Sequence, residues 1–166
     1  MTNVGKPFRR AAIFGASGGI GAALATRLAE SGIEVWAGSR SGAAADPALR
    51  PFRFDLSDEA SIVAAAAAMA DAPPDLVVVA SGVLTLADGS GPERSYKQID
   101  GAAMDEVFRL NTIGPALVAK HVLPLLPRDR RSVFAALSAR VGSIGDNRIG
   151  GWHSYRASKA ALNMLL

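Results

Sequence analysis

The sequence predicts an α/β fold, a doubly wound parallel sheet in three layers with helices on both faces. Three observations predict it. The stretch Ala11 to Leu28, AAIFGASGGIGAALATRL, runs from a short apolar segment through a glycine-rich turn into an amphipathic helix. Its apolar segment is hydrophobic on consecutive positions instead of alternating, as in a strand buried on both faces. Four further strand-like segments follow with helices between them, and a repeated β-α pattern brings right-handed crossovers and parallel pairing.

Taken in order, Ala11, Ala12, Ile13 and Phe14 form strand one. Gly15, Gly19 and Gly21 then stand at spacing G-x-x-x-G-x-G, and with Gly18 they allow positive φ and close backbone approach. Ile20, Leu24 and Leu28 are expected on the inner face of the first helix, which Glu30, Ser31 and Gly32 end, Gly32 in the left-handed capping position. The start of that helix offers free N–H groups and a positive dipole end to a nucleotide diphosphate, and Ser17 adds a hydroxyl donor. A tight strand-to-helix turn needs glycines even without a ligand, so the turn alone does not establish binding.

Strand two is Ile33 to Ala37, closing on Gly38-Ser39-Arg40-Ser41, and Ser41 to Arg50 is a surface connection. Phe52 to Asp55 is strand three. Ser57 is expected to cap a helix with Asp58 and Glu59 in its first turn, running through Ile62 and Val63 to about Ala70. Pro73-Pro74 break it before strand four, Leu76 to Ala80, and Ser81-Gly82 open a long loop that continues from Leu84 to Gly101. A helix from Ala102 or Ala103 through Val122 carries Gly114-Pro115 in its middle, which predicts a kink or local opening beside Asn111. Pro124 and Pro127 end it, and Ser132 to Leu137 is strand five. Gly142, Gly145, Gly150 and Gly151 lead to a last helix that begins near Trp152 to Tyr155 and still runs at Leu166. The sum is a Rossmann-type sheet in the expected order 3-2-1-4-5.

At 49% hydrophobic and 20% charged, 166 residues suffice for one domain with a sizeable core, spanning 1–166. There is no cysteine for a disulfide or thiolate metal site, and His121 and His153 are too few and too far apart to suggest a metal. A reducing cytoplasm fits this usage. The start MTNVGKPFRR lacks the apolar core of a signal peptide, and the longest uncharged apolar stretch, around Leu76 to Ala87, is too short to span a bilayer. Net charge is only +3, and the clusters Arg9/Arg10 and Arg128/Arg130/Arg131 read as solvated surface, so neither nucleic acid nor membrane is an expected partner.

Ligands of such a sheet bind at its carboxyl edge where strand order reverses, here between strands one and four. An acidic residue at the end of strand two would accept the adenosine ribose hydroxyls of NAD. Arg40 is the only charged group there, and a cation fits the 2′-phosphate of NADP. Ser138 ends strand five, and Tyr155 and Lys159 stand at i and i+4, on one face of the last helix. A tyrosine titrates near about pH 10 unaided, and a nearby ammonium and an oxidised nicotinamide ring each favour the phenolate. Tyr155 could then donate a proton to a carbonyl oxygen as hydride arrives at its carbon, with a serine hydroxyl holding that oxygen. A Y-x-x-x-K pair is common on helix surfaces, and Asn111 or Ser138 alone is an ordinary polar residue. Their joint occurrence in this order carries the reading. Tyr96, followed directly by Lys97, lacks the spacing.

Together these motifs resemble the short-chain dehydrogenase/reductase family over nearly the whole chain. GASGGIG at 15–21 is similar to its cofactor loop, Asp55-Leu56 to its adenine-side residues, Asn111 with Gly114 to its N-x-x-G helix, and Tyr155-Arg156-Ala157-Ser158-Lys159 to its active-site helix. The wording ARVGSIGDNRIGGWHSYRASKAALN further resembles the C-factor and sniffer-like carbonyl reductase branch. The resemblance implies an oxidoreductase of a small-molecule carbonyl or alcohol, with Tyr155 as general acid/base beside Ser138 and the Asn111 region holding a water in a proton relay. Lys159 would bind the nicotinamide ribose and depress the tyrosine pKa. Cofactor contacts are expected from Gly15, Ser17, Gly18, Gly19, Ile20, Gly21, Arg40, Asp55, Leu56, Ala80, Ser81, Gly82, Tyr155 and Lys159, with NADP(H) preferred over NAD(H). A homodimer or homotetramer through the Asn111 and Tyr155 helices is also implied. The alternative reading is a nucleotide-binding signalling or regulatory protein, or an inactive truncated fragment, without turnover.

Three departures from the family pattern bear on these expectations. Phe14 replaces a threonine and Val79-Ala80-Ser81-Gly82 replaces N-N-A-G, which alters hydrogen bonding around strand four. Ser138-Ala139 replaces a serine pair of which the family uses the second, so Ser138 is the expected catalytic serine and Ser143 its substitute. Family members also continue with a sixth and seventh strand and a substrate-covering segment. This chain stops inside the helix that carries Lys159, and is expected to be a C-terminally truncated domain lacking those last strands.

Overall fold

Five short strands pair in parallel, in the order β3-β2-β1-β4-β5, in a computed structural model that describes residues 7–44, 46–148 and 150–166. They are β1 (Arg10–Phe14), β2 (Glu34–Ser39), β3 (Arg50–Arg53), β4 (Leu76–Val79) and β5 (Val133–Ala136). The order is the expected one, and each strand lies within two residues of its expected ends. Residues 1–6 of MTNVGKPFRR, Ala45 in the connection before β3 and Ile149 in the glycine-rich loop lie outside the described residues. The earlier position of β3 follows from its pairing: Phe52 stands opposite Gly38, whose missing Cβ leaves room for the Phe52 ring. Pro51 is tolerated because β3 is an edge strand.

The helices are α1 (Gly19–Glu30), α2 (Glu59–Ala68), α3 (Gly101–Phe108), α4 (Gly114–Val122) and α5 (His153–Leu165). Alternation along β1 feeds two cores. Ala12 and Phe14 join Val77, Val79, Phe52, Phe54, Ile62 and Val118 on one face, and Ala11 and Ile13 join Val35, Ala37, Val78 and Ala25 of α1 on the other. Burying a side chain such as Phe14 or Ile13 contributes about 1.5–3 kcal/mol, and both are fully buried. Phe14 also meets Phe52 and Phe54 edge-on, each with ring centroids 5.0 Å apart, so this departure from threonine is a core anchor. The ladder to β4 continues past it, since Ala80 N–H donates to the Phe14 carbonyl at 2.8 Å.

Two local expectations are corrected. Ile20 is 67% exposed, not on the inner face of α1. The buried positions are Gly21 and Ala25, one helical repeat apart, and Ile20 is rotated about 100° from that stripe. Ser57 does not cap α2 either: its hydroxyl and N–H both turn back to Asp55 Oδ1, at 2.6 and 2.9 Å. The cap is therefore Asp58, one residue later, whose carboxylate accepts from Ala60 N and Ser61 N.

The opening beside Asn111 takes the form of a π turn over Arg109–Ile113 that joins α3 to α4, with Gly114 N–H reaching back to the Arg109 carbonyl. Pro115, at the start of α4, has no N–H to offer the Asn111 carbonyl one helical turn before it. Within the loop before α3, a 3₁₀ turn spans Tyr96–Gln98, and Asp100 caps α3 by accepting from Ala103 N at 2.8 Å. Gly32, φ 74°, takes the left-handed position after α1 as expected. Among the described residues no helix is long and apolar enough to cross a membrane.

Candidate active site

A cleft of about 370 Å³ opens at the carboxyl ends of the central strands, and most of the sequence-predicted cofactor residues meet on it. Gly15, Ser17, Gly18, Arg40, Asp55, Leu56, Ala80, Ser81 and Gly82 line it, joined by Glu106, Arg109 and Leu110, which the sequence did not single out. Gly19, Ile20 and Gly21 lie beside it in the first turn of α1. Gly21 is there for a steric reason, since a Cβ would land on the Gly15 carbonyl oxygen. No side chain caps α1 and no acidic residue stands in its first turn, so the positive end of the helix keeps its capacity for an anion.

Arg40 is exposed, just past β2. Its neighbour across the cleft, Asp55, is held below the usual carboxylate range, first by the Ser57 hydroxyl and N–H and then by the charges of Arg40 and Arg53. Asp55 is thus an anion at neutral pH. No acid stands at the end of β2, where Ser39 is buried and its hydroxyl donates to the Ala43 carbonyl at 2.9 Å.

Helix α5 carries the other half of the site. Lys159 is 3% exposed, and its Nζ donates to the Leu137 carbonyl at the end of β5, 2.7 Å away. Burial pushes its pKa down, as low dielectric disfavours the charged form. Burial pushes the Tyr155 phenol up. The lysine does not reverse that rise here: Nζ is 5.9 Å from the Tyr155 ring centroid and is engaged with Leu137. Gly82 joins the two halves, because a Cβ on it would stand 3.0 Å from Asn111 Oδ1 and 3.1 Å from Lys159 Nζ.

Asn111 is fully buried and saturated. Its Oδ1 accepts from Val83 N at 2.8 Å, and its Nδ2 donates to the Val83 carbonyl at 2.8 Å and to Ser158 Oγ at 3.1 Å. Ser158 Oγ donates in turn to the Tyr155 carbonyl, and Thr112 Oγ1 to the Ser158 carbonyl, both at 2.7 Å. The side chain of Asn111 is therefore a clamp between the β4 loop and α5. Ser158 was findable inside YRASK, one turn after Ser154, whereas Val83 takes part through its backbone and leaves no sequence signal. Ser138 is exposed directly after Leu137, the residue that holds Lys159. Ser143, also exposed, accepts from Asp146 N at 3.2 Å and lines a different pocket, with His153, Arg156 and Ala160.

The family model for short chain dehydrogenases matches residues 9–166. The chain belongs to the short-chain dehydrogenase family. It is 32% identical over 159 residues to a 1-hydroxy-2-glutathionyl-2-methyl-3-butene dehydrogenase of Rhodococcus, covering 92% of this chain and 66% of that one. It is 36% identical over 92 residues to the C-signal of Myxococcus xanthus, covering 55% and 52%. Among solved structures it resembles the NADPH-bound carbonyl reductase from chicken fatty liver, with TM-score 0.76, 29% identity and coverage of 95% and 68%. The chain thus spans less than two thirds of the length of these two curated relatives.

Proposed function

We propose that the protein is an NADPH-dependent oxidoreductase that reduces a small-molecule carbonyl, or oxidises the matching alcohol, with Tyr155, Lys159, Ser138 and Asn111 as its site. The observation that carries the reading is the junction at Gly82, where a cleft suited to a dinucleotide meets the buried ammonium of Lys159. The residues fit the cofactor. An uncapped helix end without acids suits its diphosphate, Leu56 and Asp55 suit its adenosine, and Arg40, with no acid after β2, suits a 2′-phosphate over a free ribose hydroxyl.

NADPH, held by the glycine turn, the start of α1 and Arg40, would supply hydride to a carbonyl carbon. Tyr155 gives its phenolic proton to the carbonyl oxygen, and burial, which keeps that phenol protonated through neutral pH, suits it to this direction. The Ser138 hydroxyl donates a hydrogen bond to the same oxygen. Lys159 holds ribose hydroxyls and stabilises the phenolate left after proton transfer. The proton is restored through a water at the π turn, a role supported by Pro115, which cannot supply the Asn111 carbonyl with its helical donor. The cysteine-free sequence is compatible with a cytoplasmic site of action.

The test is carbonyl-dependent NADPH oxidation by the purified protein, run against a panel of ketones and aldehydes. Turnover with NADPH, and slower turnover with NADH, is expected. NADPH binding without carbonyl-dependent oxidation would favour a nucleotide-binding regulatory protein instead.

A further inference from the structure

Helix α5 starts without a cap of its own. Trp152 precedes it in the left-handed conformation, φ 52° and ψ 42°, and its side chain makes no capping bond. An Asp, Ser or Thr is the usual solution at that position. Here the partner comes from elsewhere in the chain. Glu93, only 8% exposed, accepts from Ser154 N–H at 3.2 Å on Oε2 and 3.4 Å on Oε1, and the Ser154 hydroxyl also donates to Oε1. The Glu93 backbone carbonyl accepts from Trp152 N–H as well. Burial pushes the Glu93 carboxyl up, but the Ser154 hydroxyl and N–H, with the His153 charge, outweigh it and leave the group below its ordinary value. A carboxylate at a helix N-terminus also meets the favourable end of the dipole.

We propose that Glu93 is a positioning residue for Tyr155, gripping the first turn of α5 from the loop before α3 so that the tyrosine stands where a carbonyl can reach it. Two clamps bracket Tyr155. Glu93 holds Ser154, the residue just before it, and Asn111 holds Ser158, one turn later. Both clamps draw on the same loop, since Asn111 grips Val83 at the point where the loop begins. Tyr155 and Glu93 line one small cavity of about 50 Å³ between that loop and α5. A helix free to slide at its first turn would still hold Lys159, which is anchored to β5, while Tyr155 drifted.

The inference rests on Tyr155 as proton donor, and its test separates the two claims. Four proteins are compared, the parent, Glu93→Leu, Glu93→Gln and Ser154→Ala, by kcat, KM, NADPH Kd and amide hydrogen exchange. Glu93→Leu is expected to lower kcat about ten- to a hundred-fold, the cost of misplacing a reacting group by around an ångström, with NADPH Kd nearly unchanged. Glu93→Gln keeps an oxygen acceptor for Ser154 and should restore most of the rate. Ser154→Ala, which keeps the N–H bond, should fall between them, and serves where Glu93→Leu fails to fold. Exchange at the first turn of α5 should quicken in Glu93→Leu while α1 is unaltered, a readout that holds even if the parent shows no turnover. Parent-like kcat in both Glu93→Leu and Ser154→Ala, or unchanged exchange at α5, would overturn the proposal. A loss that Glu93→Gln shares in full would also overturn it, as would an equal loss of NADPH affinity. A parent without carbonyl reduction would instead count against the proposed function.

Discussion

At the scale of single residues, burial moves Tyr155 and Lys159 in opposite directions, up for the phenol and down for the ammonium. Reduction needs the protonated phenol, so its kcat/KM should hold through neutral pH and fall as pH rises through the tyrosine pKa. Alcohol oxidation needs the phenolate and should rise over the same range. Initial rates in both directions across pH check this, and parallel profiles would contradict it. Arg40 carries a second prediction. Arg40→Asp should weaken NADPH binding by about 1.5–3 kcal/mol, the worth of a hydrogen bond to a charged group, and leave NADH nearly unchanged or improved. Titration by cofactor fluorescence reads both, and equal loss for the two would sink the assignment of Arg40. The pair Tyr155 and Lys159 was legible because i and i+4 share a helix face whatever the surroundings. Glu93 was not, because its partner Ser154 lies 61 residues away and no local spacing marks the contact. Ser57 and Asp58 are both good caps, and only the competing pull of Asp55 on Ser57 decides between them.

At the scale of elements, the junction of α3, the π turn and α4 holds the site together. Asn111→Ala would strand the Val83 N–H and carbonyl in a part-buried setting, a loss of about 1–3 kcal/mol. Chemical denaturation measures it, and a midpoint unchanged from the parent would show that Asn111 is no clamp. Gly21→Ala should instead leave most of the fold intact and displace the start of α1 from Gly15, raising NADPH Kd at least about ten-fold. The opening near Asn111 was readable from Gly114-Pro115, since proline removes a donor wherever it falls. Its π form was not, and neither was the close approach of Gly114 to Leu56, where a Cβ would meet the Leu56 side chain and carbonyl, since Leu56 lies far away in sequence. Ile20 departs from its expected inner face because α1 is rotated so that Gly21 and Ala25 meet the sheet, and apolar character alone does not reveal that rotation.

At the scale of the whole molecule, strand order was legible because parallel crossovers of one hand leave few topologies, and glycine turn, Asn111, Ser138 and Tyr155 recur in an order that fits one of them. The same topology exposes an edge. Among the described residues β5 has β4 on one side only, its four residues are half-buried, and Ile144 in the loop after it and Met164, Leu165 and Leu166 at the end of the chain are exposed. Unpaired strand edges and apolar surface favour association, so a 166-residue chain is expected to self-associate. Light scattering would show a dimer or larger species, and a monodisperse monomer would contradict this.

Tyr155 is proposed as the proton donor of an NADPH-dependent carbonyl reduction. This role is tested most directly by single-turnover NADPH oxidation in the parent and in Tyr155→Phe, alongside NADPH titration of each. A carbonyl-dependent transient is expected in the parent, with its near-complete loss in Tyr155→Phe and matching NADPH affinities, because the substitution removes a proton and little packing. A transient of similar rate in Tyr155→Phe would contradict it.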